Sequence, residues 1–389
     1  LRTMLSTAHE GEMNVILDYV ANHLHINSPV LQEHPDWTTE LYLPDGRKNI
    51  GQWDGETRLT TWFDEHIPTL DLEREEVCDP MTDSALHWVR NFDFDGYRHD
   101  ACKHIPLNYW RMLTHKMKSE MPNRNLWMIG ETYGDTELIG SYVKTGMIDS
   151  QFDFNLYHNS RDVIADPNQS MKLIAATVEE SERAYGSHHT MGNITGNHDK
   201  PRFISLAGGD MALGWYDDKA EGWHRDVKVG DMDKGHAGLQ LLKAIISTVP
   251  GVPCIYQGDE YGVPGANDPD NRDMMTFECE NDYQVREFEQ TKALFNARRE
   301  SMPLNYGDLR TLYVDDQAWV FLRHYMGDWT IVALNVRTDV KTIEVELPAF
   351  AKCGNLETAV ATEGASVRCL GDGKLEVTLP AYGYIIANK

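Results

Sequence analysis

Three acidic residues stand where short apolar runs end: Asp100 after GYRH, Glu131 after WMIG, and Asp199 just past TMGNITGNH. In a parallel barrel all strand C-termini open onto one face, so side chains far apart in sequence converge there. Converging carboxylates suit cleavage of a glycosidic bond, in which one attacks the anomeric carbon and a second, kept protonated, donates to the leaving oxygen. Retention of configuration asks for a separation of ~5–5.5 Å between the two. A single acid at a strand end is more often a helix cap or a solvated loop residue. Three together, with His and Arg beside them, lower the weight of that bland reading.

The elements that must position these acids follow from hydrophobic patterning. From Asn14 to about Tyr256 short apolar runs alternate with longer amphipathic ones, the pattern of βα units in a parallel sheet. Strands are expected at NVILD (Asn14–Asp18), DGYRHD (Asp95–Asp100), LWMIGE (Leu126–Glu131), SQFDF (Ser150–Phe154), TMGNIT (Thr190–Thr195) and VPCIY (Val252–Tyr256). Helices are expected over Asp83–Asn91, Leu107–Glu120, Met171–Tyr185, Gly238–Val249 and Tyr283–Arg299. Six strands are two short of an eight-stranded barrel. A long insertion at about 24–70, rich in Trp, Pro, Asp and Gly, has no helical period, as functional loops and small subdomains often do. Its rings Trp37, Tyr42, Trp53, Trp62 and Phe63 either stack on sugars or form the insertion's own core. The stretch Met302–Tyr306 breaks the pattern with a proline. Alternating segments follow at Trp319–Tyr325, Trp329–Val336, Thr342–Leu347 and Lys374–Leu379 and read as an antiparallel sandwich. The expected division is a catalytic barrel at 1–302, containing the insertion, and a β-sandwich at 303–389.

Composition narrows the partners. With 389 residues, 41% of them hydrophobic, the chain can bury a sizeable core. A formal charge of −25 with no offsetting basic cluster repels phosphate backbones and anionic membrane surfaces, so neither nucleic acid nor membrane is an expected partner. No apolar run approaches the ~18–20 residues of a membrane span. The six cysteines form no CxxC pair, so structural zinc is not expected. Cys353 and Cys369 share one β-rich segment, where a disulfide and free thiols are both open. A homodimer is left open as well.

The segments DYVANH (Asp18–His23), GYRHDACKH (Gly96–His104), GET (Gly130–Thr132) and GNHD (Gly196–Asp199) resemble, in order and with plausible spacing, four sequence regions of the α-amylase superfamily. PTLDLE (Pro68–Glu73) and GVPCIYQGDEYGVPGANDPDNRDMM (Gly251–Met275) are similar to the end of that family's inserted domain and to the loop after its last barrel strand. TTWFD (Thr60–Asp64) and NDPDNRDMM (Asn267–Met275) lean toward maltodextrin-acting, cyclomaltodextrinase-like or neopullulanase-like members. The resemblance implies a (β/α)8 TIM barrel and a retaining hydrolase of α-1,4-glucosidic bonds in starch-type glucans, maltooligosaccharides or cyclodextrins. Asp100 would be the nucleophile, Glu131 the general acid/base, and Asp199 the binder of the distorted sugar's hydroxyls. Arg98, two residues before Asp100 and so on the same side of the strand, would keep that carboxylate ionised. His23 and His198 would donate to the sugar in the cleaved subsite, and Lys103 and His104 would contact the leaving-group side. Asp18 would brace Arg98. No cofactor is needed for the chemistry; Asn22 matches a calcium ligand in many members, with further oxygens to come from elsewhere.

The opening LRTMLSTAHEGEMNVILD resembles the helix leading into the third barrel strand, so the expectation is a barrel lacking its first two strands, with open edges. A signal segment would lie upstream, and a periplasmic or secreted site is favoured over the cytoplasm. Other readings are a glucosyl transferase or isomerase of the same kind, a non-catalytic sugar-binding relative, and a metal-dependent phosphoesterase suggested by GNHD, Gly134–Asp135 and Asp64–His66.

Overall fold

The computed structural model describes residues 1–186, 189–214 and 218–389, with the side chain of Asp218 left aside. The chain forms two compact units, Leu1–Phe152 with Ala184–His189, and Asp153–Arg183 with Thr190–Lys389.

The first unit is built on a parallel sheet in the order β1 (Ile16–Tyr19), β2 (Gly96–His99), β3 (Trp127–Gly130), β4 (Ser150–Gln151). Around it lie α1 (Arg2–Glu10), α2 (Pro29–Glu33), α3 (Glu75–Asn91), α4 (Leu107–Glu120) and α5 (Thr136–Ser141). All four residues of β2 are buried, Arg98 and His99 included. Tyr97 and His99 share the helix-facing side: the Tyr97 hydroxyl donates to the Ala85 carbonyl, and the His99 ring lies edge-on to Trp110 at 4.8 Å. Period-2 alternation then turns Arg98 and Asp100 to the opposite side. Gly96 has φ +152°, and a Cβ there would stand 1.7 Å from the Trp127 carbonyl oxygen, so only glycine lets β2 start against β3. Helices α3 and α4 bury Cys78, Met81, Ala85 and Val89 and, respectively, Trp110, Leu113 and Met117, a three-and-four spacing that closes the core beneath the sheet. Helix α3 begins eight residues earlier than the expected Asp83 and carries Pro80 inside it.

The insertion has no long helix. Trp62 donates through Nε1 to the Thr39 carbonyl and hydroxyl at 3.1 and 3.0 Å, and Thr69 Oγ1 donates to the Thr61 carbonyl at 2.7 Å. Trp62 is thus a core residue of the insertion. Trp37 stacks on His34, while Trp53 (41% exposed) and Tyr42 (58%) face solvent.

The second unit contains α6 (Phe154–Ala165), α7 (Met171–Tyr185, all but its last two residues), β5 (Gly192–Ile194), α8 (Phe203–Ala207), α9 (Asp218–His224), α10 (Met232–Thr248), β6 (Val252–Cys254), α11 (Asp282–Glu300) and α12 (Met302–Tyr306). Strands β5 and β6 pair in parallel. The eight strands that follow are β7 (Asp308–Val314), β8 (Ala318–Tyr325), β9 (Asp328–Asn335), β10 (Lys341–Glu346), β11 (Glu357–Ala361), β12 (Ser366–Gly371), β13 (Lys374–Leu379) and β14 (Tyr384–Asn388). They make antiparallel sheets in the orders β11-β14-β9-β8-β7 and β10-β13-β12. A disulfide joins Cys353 to Cys369; Cys78, Cys102, Cys254 and Cys279 are free. One face of the larger sheet, with Trp319, Phe321, Val332 and Leu334, shares a core with Leu239, Leu242 and Ile245 of α10. Within this unit the helices end with α12 at Tyr306 and the antiparallel strands begin at Asp308.

Two local expectations are corrected. The strand expected to run to Phe154 stops at Gln151, because Asp153 caps α6 and accepts from Leu156 N at 2.9 Å. Met302–Tyr306 is a helix, capped by Ser301, with Pro303 in the first turn, where its missing N–H has no helical partner to lose. Among the described residues no helix is long and apolar enough to cross a membrane.

Candidate active site

In the first unit the register sets Asp18 on β1 opposite Arg98 on β2, and Arg98 opposite Ile129 on β3. Asp100 and Glu131 stand two residues beyond Arg98 and Ile129 and so share that face. Their backbones continue the ladder: Asp100 N donates to Tyr19 O at 3.1 Å and Glu131 N to His99 O at 2.9 Å. One guanidinium then gathers three carboxylates. Arg98 Nη1 donates to Asp18 Oδ1 and Asp100 Oδ1 at 2.8 Å each, and Nη2 to Glu131 Oε2 at 2.6 Å. Burial alone would lower the Arg98 pKa, but Glu131, Asp18 and Asp100 outweigh it and raise it, so the group stays charged. Glu131 is the most enclosed acid of the three.

Gly130 explains why GET needs its glycine. A Cβ at that position would lie 2.3 Å from Gln151 Nε2 and 2.6 Å from both Cys102 Sγ and Ile148 Cδ1, displacing the residue that presents Glu131. On the other side of Asp100, Ala101 takes a left-handed conformation and turns the chain into the 3-10 turn Cys102–His104.

The remaining expected residues of this unit lie around the same strand ends and the insertion. His23 sits in its motif with its ring 4.9 Å from Phe63; burial lowers its pKa, partly offset by Asp100. Asn22 is fully buried, donates weakly to Thr69 Oγ1 at 3.4 Å, and leaves Oδ1 without a hydrogen-bond partner. Lys103 is buried and pairs through Nζ with Asp54 at 2.8 Å, so it is not a solvated surface charge. The His104 Nδ1 is 2.7 Å from the Arg58 carbonyl, and burial lowers its pKa to about 4. Asp54 and Arg58 were not among the expected residues; both come from the aperiodic insertion, where no spacing rule points to them.

Asp199 and His198 belong to the second unit, on the turn after β5. Asp199 accepts from Arg272 Nη2 at 3.1 Å and lies 3.3 Å from His198 Nε2. The loop after β6 clasps this turn: Arg272 Nε donates to His198 O at 3.1 Å, and Asn271 Nδ2 to Lys200 O at 2.7 Å and Asn197 O at 3.2 Å. A buried Arg202–Asp259 pair at 3.1 Å supports the loop, and Thr195 Oγ1 donates to Asp259 Oδ2 at 2.5 Å. Arg272 was likewise unforeseen; its signal was its place in the NDPDNRDMM stretch.

Residues 1–342 match the family described as "Alpha amylase, catalytic domain". The chain belongs to the α-amylase family. Among its relatives are cyclomaltodextrinases of Geobacillus thermopakistaniensis and Thermoanaerobacter pseudethanolicus, 26% and 27% identical over 99% and 86% of this chain. The chain spans only 61% and 54% of their lengths. The crystal structure of the α-amylase of Geobacillus thermoleovorans complexed with acarbose superposes with a TM-score of 0.81 at 26% identity, covering 100% of this chain and 79% of that one. An α-amylase-family chain thus carries the family's TIM-barrel fold with a C-terminal β-sheet domain, consistent with the six parallel strands and the two antiparallel sheets found among the described residues. Of the phosphoesterase-like motifs, the Asp135 carboxylate caps α5 by accepting from Leu138 N at 2.8 Å.

Proposed function

We propose that this chain hydrolyses α-1,4-glucosidic bonds in starch-type glucans, maltooligosaccharides or cyclodextrins with retention of configuration. The observation that carries this reading is the Arg98 guanidinium bridging Asp100 and Glu131 at the C-terminal ends of adjacent parallel strands. In the proposed reaction an Asp100 oxygen attacks the anomeric carbon as the glucosidic C–O bond breaks, and the leaving oxygen takes the Glu131 proton. Glu131 then removes a proton from water, which attacks the glucosyl ester and frees Asp100. Proton donation has a condition. Glu131 Oε2 accepts from the charged Arg98 guanidinium, and that hydrogen bond has to loosen as glucan fills the site so that the acid can donate to the leaving oxygen.

By their motifs, His23, His198 and Asp199 are proposed to hold hydroxyls of the cleaved sugar, and Lys103 and His104 the leaving-group sugar. By motif order, β1 to β6 are proposed to be the third to eighth strands of the barrel. The buried, unpartnered Asn22 Oδ1 supports a structural calcium there, completed by further oxygens; a melting temperature unmoved by calcium or chelator would remove that proposal. The Cys353–Cys369 disulfide supports a periplasmic or secreted site, and finding six free thiols in protein purified without reductant would count against it.

The test is product analysis on soluble starch, maltooligosaccharides, cyclodextrins, pullulan, sucrose and trehalose, with Asp100→Asn as control. Shorter α-anomeric products from the parent and none from the control are expected. Undiminished hydrolysis by Asp100→Asn would overturn the assignment, and longer products would redirect it to glucosyl transfer.

A further inference from the structure

Arg58 lies on the 3-10 turn Gly55–Leu59 of the insertion and reaches the turn that follows Asp100. Its Nη1 donates to the Lys103 carbonyl and, at 3.1 Å, to the Tyr142 hydroxyl, while its own carbonyl lies 2.7 Å from His104 Nδ1. One residue therefore grips the backbone of Lys103 and the ring of His104 together. The anchor is firm, because Tyr142 is fully buried in the core of the same unit. Asp54, four residues before Arg58, holds Lys103 Nζ from the same segment at 2.8 Å. The contact also sets chemistry. A carbonyl oxygen only accepts, so His104 carries its proton on Nδ1 and presents Nε2 as a lone-pair acceptor, ready for a hydroxyl proton.

Resting on the α-glucan reading above, we propose that Arg58 is a positioning residue for the sugar on the leaving-group side. It fixes the His104 tautomer and the Lys103 backbone without touching the reacting atoms. The insertion thereby tunes how well a glucosyl leaving group is held, while attack by Asp100 proceeds independently of it.

Two substrates separate this role from a merely structural one. Maltotetraose leaves as a sugar that uses the Lys103–His104 turn, whereas a nitrophenyl maltoside leaves as a phenolate that does not. Arg58→Ala is expected to lower kcat/KM on maltotetraose about 10-fold, mostly through KM, because a charged hydrogen bond is lost. The change on the aryl maltoside is expected to stay below about 2-fold, the scale left once that bond is irrelevant. Arg58→Lys, which keeps one donor, should recover part of the loss, and Tyr142→Phe should shift maltotetraose in the same direction by less. If Arg58→Ala does not fold, these last two variants carry the test. Equal losses on both substrates, or unchanged maltotetraose kinetics, would overturn the proposal. A parent chain that cleaves neither substrate would instead overturn the α-glucan reading on which it rests.

Discussion

Arg98 Nη2 lies 2.6 Å from Glu131 Oε2, and the same guanidinium holds Asp100 through Nη1. A single buried cation thus fixes the distance and orientation of two acids that come from different strands. Removing it leaves three carboxylates facing one another. Arg98→Met is expected to destabilise the chain by about 3 kcal/mol, the scale for breaking a buried charge pair, and to abolish measurable glucan hydrolysis. Urea unfolding followed by a hydrolysis assay reads both; a variant with parent stability and activity would show that the bridge does not organise the pair.

Gly130→Ala tests the presentation of Glu131 by steric means alone. Its Cβ would meet Gln151, Cys102 and Ile148 at 2.3–2.6 Å, all within the core of one unit. The expected outcome is a stability loss of about 1–3 kcal/mol, as for other overpacked sites, with a fall in kcat larger than any change in KM. A variant with unaltered kcat would mean that the backbone before Glu131 yields freely.

Acid should weaken the fold through buried histidine. His99 is fully buried among Tyr97, Tyr19 and Trp110, neither ring nitrogen has a hydrogen-bond partner, and burial lowers its pKa from 6.5 to about 3. Between those values the unfolded chain binds a proton that the folded chain refuses. Stability is therefore full above pH 6.5 and falls toward pH 3, by up to about 1.4 kcal/mol per pH unit for one group. His104, lowered to about 4, adds a second proton over the upper part of that window. His99→Phe should make the decline between pH 6.5 and 4 shallower by one proton in urea titrations. An identical slope would show that His99 takes up its proton in the folded state.

The second unit carries a buried pair, Lys243 Nζ to Glu287 Oε1 at 2.6 Å, with His236 Nδ1 on Glu287 Oε2 at 2.6 Å. Both side chains are fully enclosed between α10 and α11. Burial pushes the Glu287 pKa up, yet Lys243 and His236 outweigh it and leave it below the ordinary value. Lys243→Met should cost about 3–5 kcal/mol by stranding the carboxylate, and adding Glu287→Met should recover most of that loss. Additive losses in the double variant would mean that the two residues act independently.

The sequence was informative where one strong local rule applied. Strands β2, β4 and β5 are brief, fully buried runs, and period-2 alternation was enough to put Arg98 on the same side as Asp100. Legibility failed where a polar side chain competed with the pattern: Asp153 ends β4 by capping α6, and Ser301 lets Pro303 begin a helix. The partners of the site were hidden for a different reason. Arg58 and Asp54 reach Lys103 and His104 only through the folding of an insertion that lacks any period. Arg272 meets Asp199 only because its loop is held by Asn271 and the Arg202–Asp259 pair.

In the proposed mechanism Asp100 forms a covalent glycosyl ester while Glu131 serves as acid and base. Mass spectrometry of peptides, after treating the chain with a fluorinated glucosyl fluoride whose ester hydrolyses slowly, addresses it directly. One added fluoroglucosyl group is expected on the peptide containing Asp100, and none on that of Asp100→Asn. A turnover-competent chain whose label falls on another residue, or that gives no label under conditions of turnover, would contradict it.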